Sequence, residues 1–171
     1  LNNVLFPLIG KARAAMRYAF DRSGPLSMSV NQAGGFVRGR PDAARPNLQL
    51  YFSPVSYTQT PLAARKLLNP DPFAAFLLSF NSCRPTSRGH LQIASSDPFA
   101  PPAIFPNYLE TKHDVEEARA GIRLLRSIAR TNPLAEIITE EMVPGPGLES
   151  EDDLLADFRA RADTVYHPTS T

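Results

Sequence analysis

A chain of 171 residues is long enough to bury a core and reads as one unit, and eighteen basic against seventeen acidic side chains, a formal charge of +1, lack the basic excess of a nucleic-acid binder. One cysteine excludes an internal disulfide, three scattered histidines argue against a structural zinc, and no apolar run is long enough to cross a bilayer. The start, Leu1-Asn2-Asn3-Val4, carries neither a signal-peptide charge pattern nor a methionine, so the chain reads as an internal fragment for which a reduced, intracellular setting is allowed. Seventeen prolines sit between periodic segments, where they end elements and set turns.

In chain order, Pro7 opens a predicted helix in which Leu8, Ala12, Ala15, Met16, Ala19 and Phe20 recur at helical spacing, before Ser23-Gly24-Pro25 ends it. Lys11, Arg13 and Arg17 then fall on an ordinary wet face, preferred to an anionic contact. Asn31 to Val37 reads as a short strand with a glycine kink, and its lone Gly34-Gly35 lacks the strand-GxGxxG-helix context of a dinucleotide site. Leu48 to Ser53 alternates cleanly, with Leu48, Leu50 and Phe52 on a core face and Gln49, Tyr51 and Ser53 on the other. Pro61 to Pro72 is a polar connection with room for a short helix, and Phe73 to Phe80 follows as a strand. Arg84-Pro85 and Gly89 introduce a further strand over Leu91 to Ser95, which Asp97-Pro98 stops. Ile137 to Val143 is expected as an edge strand.

Asp114 and Glu117 resemble a capping pair for a helix whose stripe is Val115, Ala118, Ile122, Leu125 and Ala129. Arg119, Arg123, Arg126 and Arg130 read as its solvated side, near a C-terminus whose dipole suits cations, rather than as an anion patch. Asn132-Pro133 closes this helix, and Val143-Pro144-Gly145-Pro146-Gly147 forms a rigid turn. Ser150 and the acidic Glu151, Asp152 and Asp153 then start a last helix that buries Leu154, Leu155, Phe158 and Ala162. The expected fold is α+β, an antiparallel sheet with helices packed on one side, in a single domain over 1–171.

Chemistry has few candidates. Pro168 holds the backbone of His167 extended, so this histidine leaves the last helix on a loop, and a neutral imidazole can accept an alcohol proton near physiological pH. By its residue type alone, a histidine near a chain end reads as a satisfied surface side chain. His90 and His113 read as solvated, and Cys83 as a small half-buried side chain. Tyr51, beside Gln49 and Ser53, is either a substrate wall or a tyrosine packed at the sheet surface with its hydroxyl in water.

Several blocks taken together resemble the C-terminal signature of the glucose-methanol-choline (GMC) flavin oxidoreductases, nearest the choline dehydrogenase-like branch. They are Ser87-Arg88-Gly89, a short strand, Ser96-Asp97-Pro98, Pro102 and Pro106-Asn107-Tyr108-Leu109, with Tyr166-His167-Pro168-Thr169-Ser170-Thr171 at the end. The resemblance implies the substrate-binding region of a FAD-dependent enzyme that oxidises a primary alcohol to an aldehyde, with His167 as the flavin-side base and Gln49 and Tyr51 in the substrate wall. Choline enzymes of the family carry a histidine near Tyr51, which counts against choline itself. FAD is expected to be held mainly by a Rossmann-type N-terminal region outside this chain, and the second catalytic residue beyond Thr171, so the chain alone is expected to be inactive. Implied partners are a small-molecule alcohol, the FAD-binding domain of the same parent chain and, through apolar surface left bare, a second copy. The location expected is cytoplasmic or peripheral to a membrane, with no metal. A non-catalytic binding domain derived from such an enzyme, or a hydroxynitrile lyase of the same family, are the alternatives.

Overall fold

A computed structural model describes residues 1–57 and 69–164. They group into two compact units, one within Leu1–Phe36 and Gln49–Phe80, the other within Val37–Leu48 and Asn81–Thr171. The elements are helices α1 (Asn2–Leu5) and α2 (Leu8–Asp21), strands β1 (Ala33–Val37), β2 (Leu48–Ser53), β3 (Leu77–Ser82), β4 (His90–Gln92) and β5 (Ala103–Phe105), then helices α3 (Lys112–Ala129), α4 (Leu134–Ile137) and α5 (Glu151–Arg161). This is the expected mixture of helices and antiparallel sheet.

The strands of the three-stranded sheet are ordered β1-β2-β3, so the cleanly alternating Leu48–Ser53 segment is the central strand. The Gln32 N–H donates to the Phe52 carbonyl and the Asn47 N–H to that of Val37, which sets β1 and β2 antiparallel. Gly34 is required at their close approach, because a Cβ there would lie 2.4 Å from the Leu50 carbonyl oxygen. In the first unit a small core gathers Leu5, Ala14, Val55 and Tyr57, with Leu26 packed against it. A buried polar chain ties the same unit: Asn2 Nδ2 donates to Ser56 Oγ at 2.8 Å, Ser56 Oγ to Asp71 Oδ2 at 2.7 Å, and the Ser56 N–H to Asn2 Oδ1 at 3.1 Å.

Helix α2 forms where its periodicity predicts, but its apolar stripe is not its buried side. Ala14 is its buried residue, whereas Leu8, Ile9, Met16 and Phe20 are 81%, 69%, 54% and 83% exposed. The reason is the edge it turns inward. Gly10 lies so close to α1 that a Cβ would overlap the Val4 carbonyl oxygen, and only the small Gly10–Ala14 edge allows that approach. Arg22, in the left-handed conformation (φ 53), ends the helix one turn residue before the expected Ser23-Gly24-Pro25 stop.

Among the described residues the Tyr57 hydroxyl is buried in the apolar core without a hydrogen-bond partner. Burial also pushes its phenol above the usual tyrosine range. Tyr57→Phe is therefore expected to stabilise the protein by about 1 kcal/mol, since an unmade buried hydrogen bond is removed without changing the ring. Urea unfolding should show the gain as a higher midpoint at unchanged slope, and a lower midpoint would reverse the assignment.

In the second unit β4 and β5 form an antiparallel hairpin with His90 opposite Phe105, Leu91 opposite Ile104 and Gln92 opposite Ala103. The strand expected over Leu91 to Ser95 stops at Gln92, and Leu91 and Ile93 are 67% and 92% exposed. Its partner explains this: the residues before Ala103 are Pro101 and Pro102, which have no N–H to extend a ladder. The edge strand expected over Ile137 to Val143 is replaced by α4 and irregular chain, because the Ile138 N–H closes α4 onto the Leu134 carbonyl and Arg126 holds the Glu141 carboxylate. Helices α3 and α5 pack on each other, burying Ala118, Ala120, Leu154 and Leu155, and Ala162 lies past the end of α5. Ser150 caps α5 as expected, accepting from the Asp153 N–H at 3.1 Å.

The arginines of α3 are not a bare anion site, and the wet face expected of them holds for Arg123 and Arg130, which are exposed, but not for Arg119 and Arg126. Arg119 pairs with Glu151 and Asp152, Arg123 with Glu151, and Arg126 with Glu141, while Arg130 is exposed. Arg126 also donates to the Leu148 carbonyl at 2.8 Å and the Gly145 carbonyl at 3.2 Å, so one guanidinium fastens the proline-rich turn to α3.

Candidate functional site

On β2, strand alternation places Gln49 and Tyr51 on one face, both half-buried, together with Ser53, which is buried and donates to the Val55 carbonyl. The opposite face carries Leu50 and Phe52, whose ring tilts against Phe76 at 5.4 Å. An amide and a phenol carry neutral donor and acceptor groups. The structure thus brings together two of the three residues singled out from the sequence. His167 lies outside the described residues. Of the other histidines, His90 stacks on Phe105 with ring centres 4.6 Å apart, and His113 lies 3.4 Å from the Glu117 carboxylate on α3.

The signature residues of the second unit turn out to form a clasp, which sequence reasoning missed. Asp114 is 3% exposed; its Oδ1 accepts from the Thr86 N–H at 2.8 Å and from the Thr86 hydroxyl, and its Oδ2 from the N–H and hydroxyl of Ser87 at 2.8 and 2.5 Å. Ser87 Oγ in turn accepts from the N–H groups of Glu110 and Thr111. The cap of α3 is Thr111, accepting from the Asp114 N–H, rather than Asp114 itself. Burial pushes the Asp114 carboxyl up, but the bonds from Ser87 and Thr86 together outweigh it and leave it below its usual range. Gly89 is needed beside the hairpin, since a Cβ would lie 2.4 Å from the Phe105 carbonyl oxygen, and Asn107, at φ 54, donates to the Arg88 carbonyl. Ser87, Gly89 and Asn107 therefore hold the hairpin against α3. The Ser-x-Gly at 87–89 followed by Pro106-Asn107 is a backbone signal, and only the position of Asp114 in space reveals its partner.

A second buried carboxylate, Glu117, accepts from Asn47 Nδ2 at 2.8 Å and from the Ser82 hydroxyl, joining α3 to two loop and strand ends of its unit. The segment 93–102 curls around a cavity of ≈ 450 Å³ lined by Ile93, Ser95, Asp97, Pro98, Ala100 and Pro102. Neither Gln49 nor Tyr51 lines it.

The described residues do not fit a flavin dinucleotide by themselves. Gly34 serves strand packing, and the glycines at positive φ, Gly24 and Gly145, stand at turns without a glycine-rich loop leading into a helix. Among the described residues no group of three or more His, Cys, Asp or Glu could hold a metal ion, and no helix is long and apolar enough to cross a membrane.

Comparison with known proteins gives a consistent result. Residues 85–171 match the sequence profile of the GMC oxidoreductase C-terminal region. The chain is 38% identical to an alcohol dehydrogenase (acceptor) of Pseudomonas putida over 90% of its length, and 37% identical to the mitochondrial choline dehydrogenase of Mus musculus over 94%. It spans 27% and 26% of those relatives. An oxygen-dependent choline dehydrogenase of Serratia proteamaculans is 33% identical over 96% of the chain, which covers 29% of that protein. Among solved structures, formate oxidase superposes on 97% of the chain with a TM-score of 0.74 at 20% identity, and the chain covers 32% of it. Pyridoxine 4-oxidase of Mesorbium loti superposes on 75% with a TM-score of 0.58 at 23% identity, with 25% of that protein covered.

Proposed function

This chain belongs to the GMC oxidoreductase family, and from that premise we propose that it is the substrate-binding part, over residues 1–171, of a FAD-dependent alcohol oxidoreductase of the choline dehydrogenase-like branch. The observation that carries the reading is the match over nine-tenths or more of the chain to relatives named for alcohol and choline oxidation. In the reaction a primary alcohol loses a proton from its hydroxyl and a hydride from its carbon, giving an aldehyde. FAD, bound mainly by segments outside this chain, supplies the hydride acceptor. The contribution of this chain is position and proton transfer: Gln49 and Tyr51 supply neutral hydrogen-bonding groups for the substrate, and His167 takes the hydroxyl proton.

The test is the absorption spectrum of the full-length protein mixed anaerobically with a panel of alcohols. Bleaching of a flavin band by primary alcohols is the expected result, and a flavin that no alcohol reduces would overturn the reading. Tyr51→Phe is expected to raise KM roughly 2- to 10-fold, the worth of one neutral hydrogen bond, with kcat less affected. An unchanged KM for every alcohol turned over would remove Tyr51 from the substrate wall.

A further inference from the structure

Asn47 is the residue before β2 and stands two before Gln49. It is buried, and each of its polar atoms is engaged. Its N–H donates to the Val37 carbonyl at 3.0 Å, and its carbonyl accepts from the Cys83 N–H at 2.9 Å. Its Oδ1 accepts from the Gly39 N–H at 2.8 Å, and its Nδ2 donates to Glu117 Oε1 at 2.8 Å. The root of β2 is thus tied to the end of β1, to the chain leaving β3 and to α3.

Glu117, 3% exposed, is where these ties meet. Its Oε2 accepts from the hydroxyl of Ser82, the last residue of β3, and Nε2 of the exposed His113 lies 3.4 Å from Oε1. An amide and a hydroxyl arrive from two different strand ends, and a carboxylate satisfies both because each of its oxygens is an acceptor. Asp114 and Glu117, three positions apart on α3, therefore divide the work: the first holds the hairpin turn and the second the root of the sheet.

We propose that Glu117 is a positioning residue for the substrate wall, setting the root of β2 through Asn47 and Ser82, and with it the placement of Gln49 one pleat along the strand. This role of Glu117 rests on the reading of Gln49 as a substrate-binding group. A hydrogen-bonding group serves a ligand when it is held within roughly 0.5 Å of its productive place, and that precision comes from the bonds behind it.

The experiment is steady-state kinetics of the full-length protein with 1-butanol, benzyl alcohol and choline. Glu117→Gln turns a donor toward one of the two donors it should accept from, and is expected to raise KM roughly 2- to 10-fold, up to the worth of the Gln49 hydrogen bond, with kcat less affected. Asn47→Asp combined with Glu117→Gln should restore KM. The amide then donates to the carboxylate in the reverse sense, and the Gly39 N–H and the Ser82 hydroxyl each keep an acceptor. An unchanged KM in Glu117→Gln, or a raised one that the exchange does not restore, overturns the role. Asp114→Asn, in the neighbouring clasp, should lower Tm and leave KM alone; an equal rise in KM there would show a general loss of stability and overturn it too. Gln49→Ala separates the two readings. A KM that it raises and Glu117→Gln does not removes Glu117 alone, whereas a flavin that none of the alcohols reduces, or a KM that Gln49→Ala leaves unchanged, overturns the substrate wall and the positioning role with it.

Discussion

In the full-length protein, His167→Ala lowers the rate of alcohol-dependent flavin reduction by roughly 10²-fold or more while FAD stays bound, the expected scale for a missing general base. Three points support this result. Pro168 disfavours helical backbone at the residue before it, His167. Imidazole is the side chain whose ordinary pKa lets it take a hydroxyl proton near neutral pH. The segment Tyr166-His167-Pro168-x-x-Thr171 falls inside the stretch matched to the family. Stopped-flow reduction under anaerobic conditions measures the step directly. His167→Gln separates proton transfer from hydrogen bonding, because glutamine keeps a donor and an acceptor but no basic nitrogen. A reduction rate unchanged in both variants would remove the proposed role.

The second large effect is on stability. Asp114→Ala is expected to destabilise the protein by about 3 kcal/mol, because it strips a buried carboxylate of four charge-assisted bonds and leaves the N–H groups of Thr86 and Ser87 unpaired. The same carboxylate makes stability depend on pH. Its pKa is depressed on folding, so the stabilisation is complete above the unfolded aspartate value of about 4 and is lost as pH falls through the lower folded value. Chemical denaturation across the acid range should show wild type losing part of its margin where Asp114→Asn does not. Equal midpoints for wild type and Asp114→Ala at neutral pH would show that the clasp carries no stability.

What the residues determine alone is local. Helices α2, α3 and α5 and strands β1 and β2 stand where the periodicity of 3.6 or of two places them, and the Ser150 cap forms as written, since these depend on neighbours a few positions apart. The pairing of Gln49 with Tyr51 on one face of β2 was legible for the same reason, and the family signature was legible because it is a linear pattern. What only the tertiary structure decided is which surface faces which. The apolar stripe of α2 lost its place inside to the Gly10–Ala14 edge, since close approach to α1 admits no side chain there. Strand β4 stops at Gln92 because its partner begins after two prolines ten residues on, and 137–143 gives up a ladder to the Arg126–Glu141 pair. Asp114 reads as a cap until the turn at Ser87 is brought to it. Each outcome turns on the free energy of a contact between residues distant in sequence, which periodicity, a property of one segment at a time, does not contain.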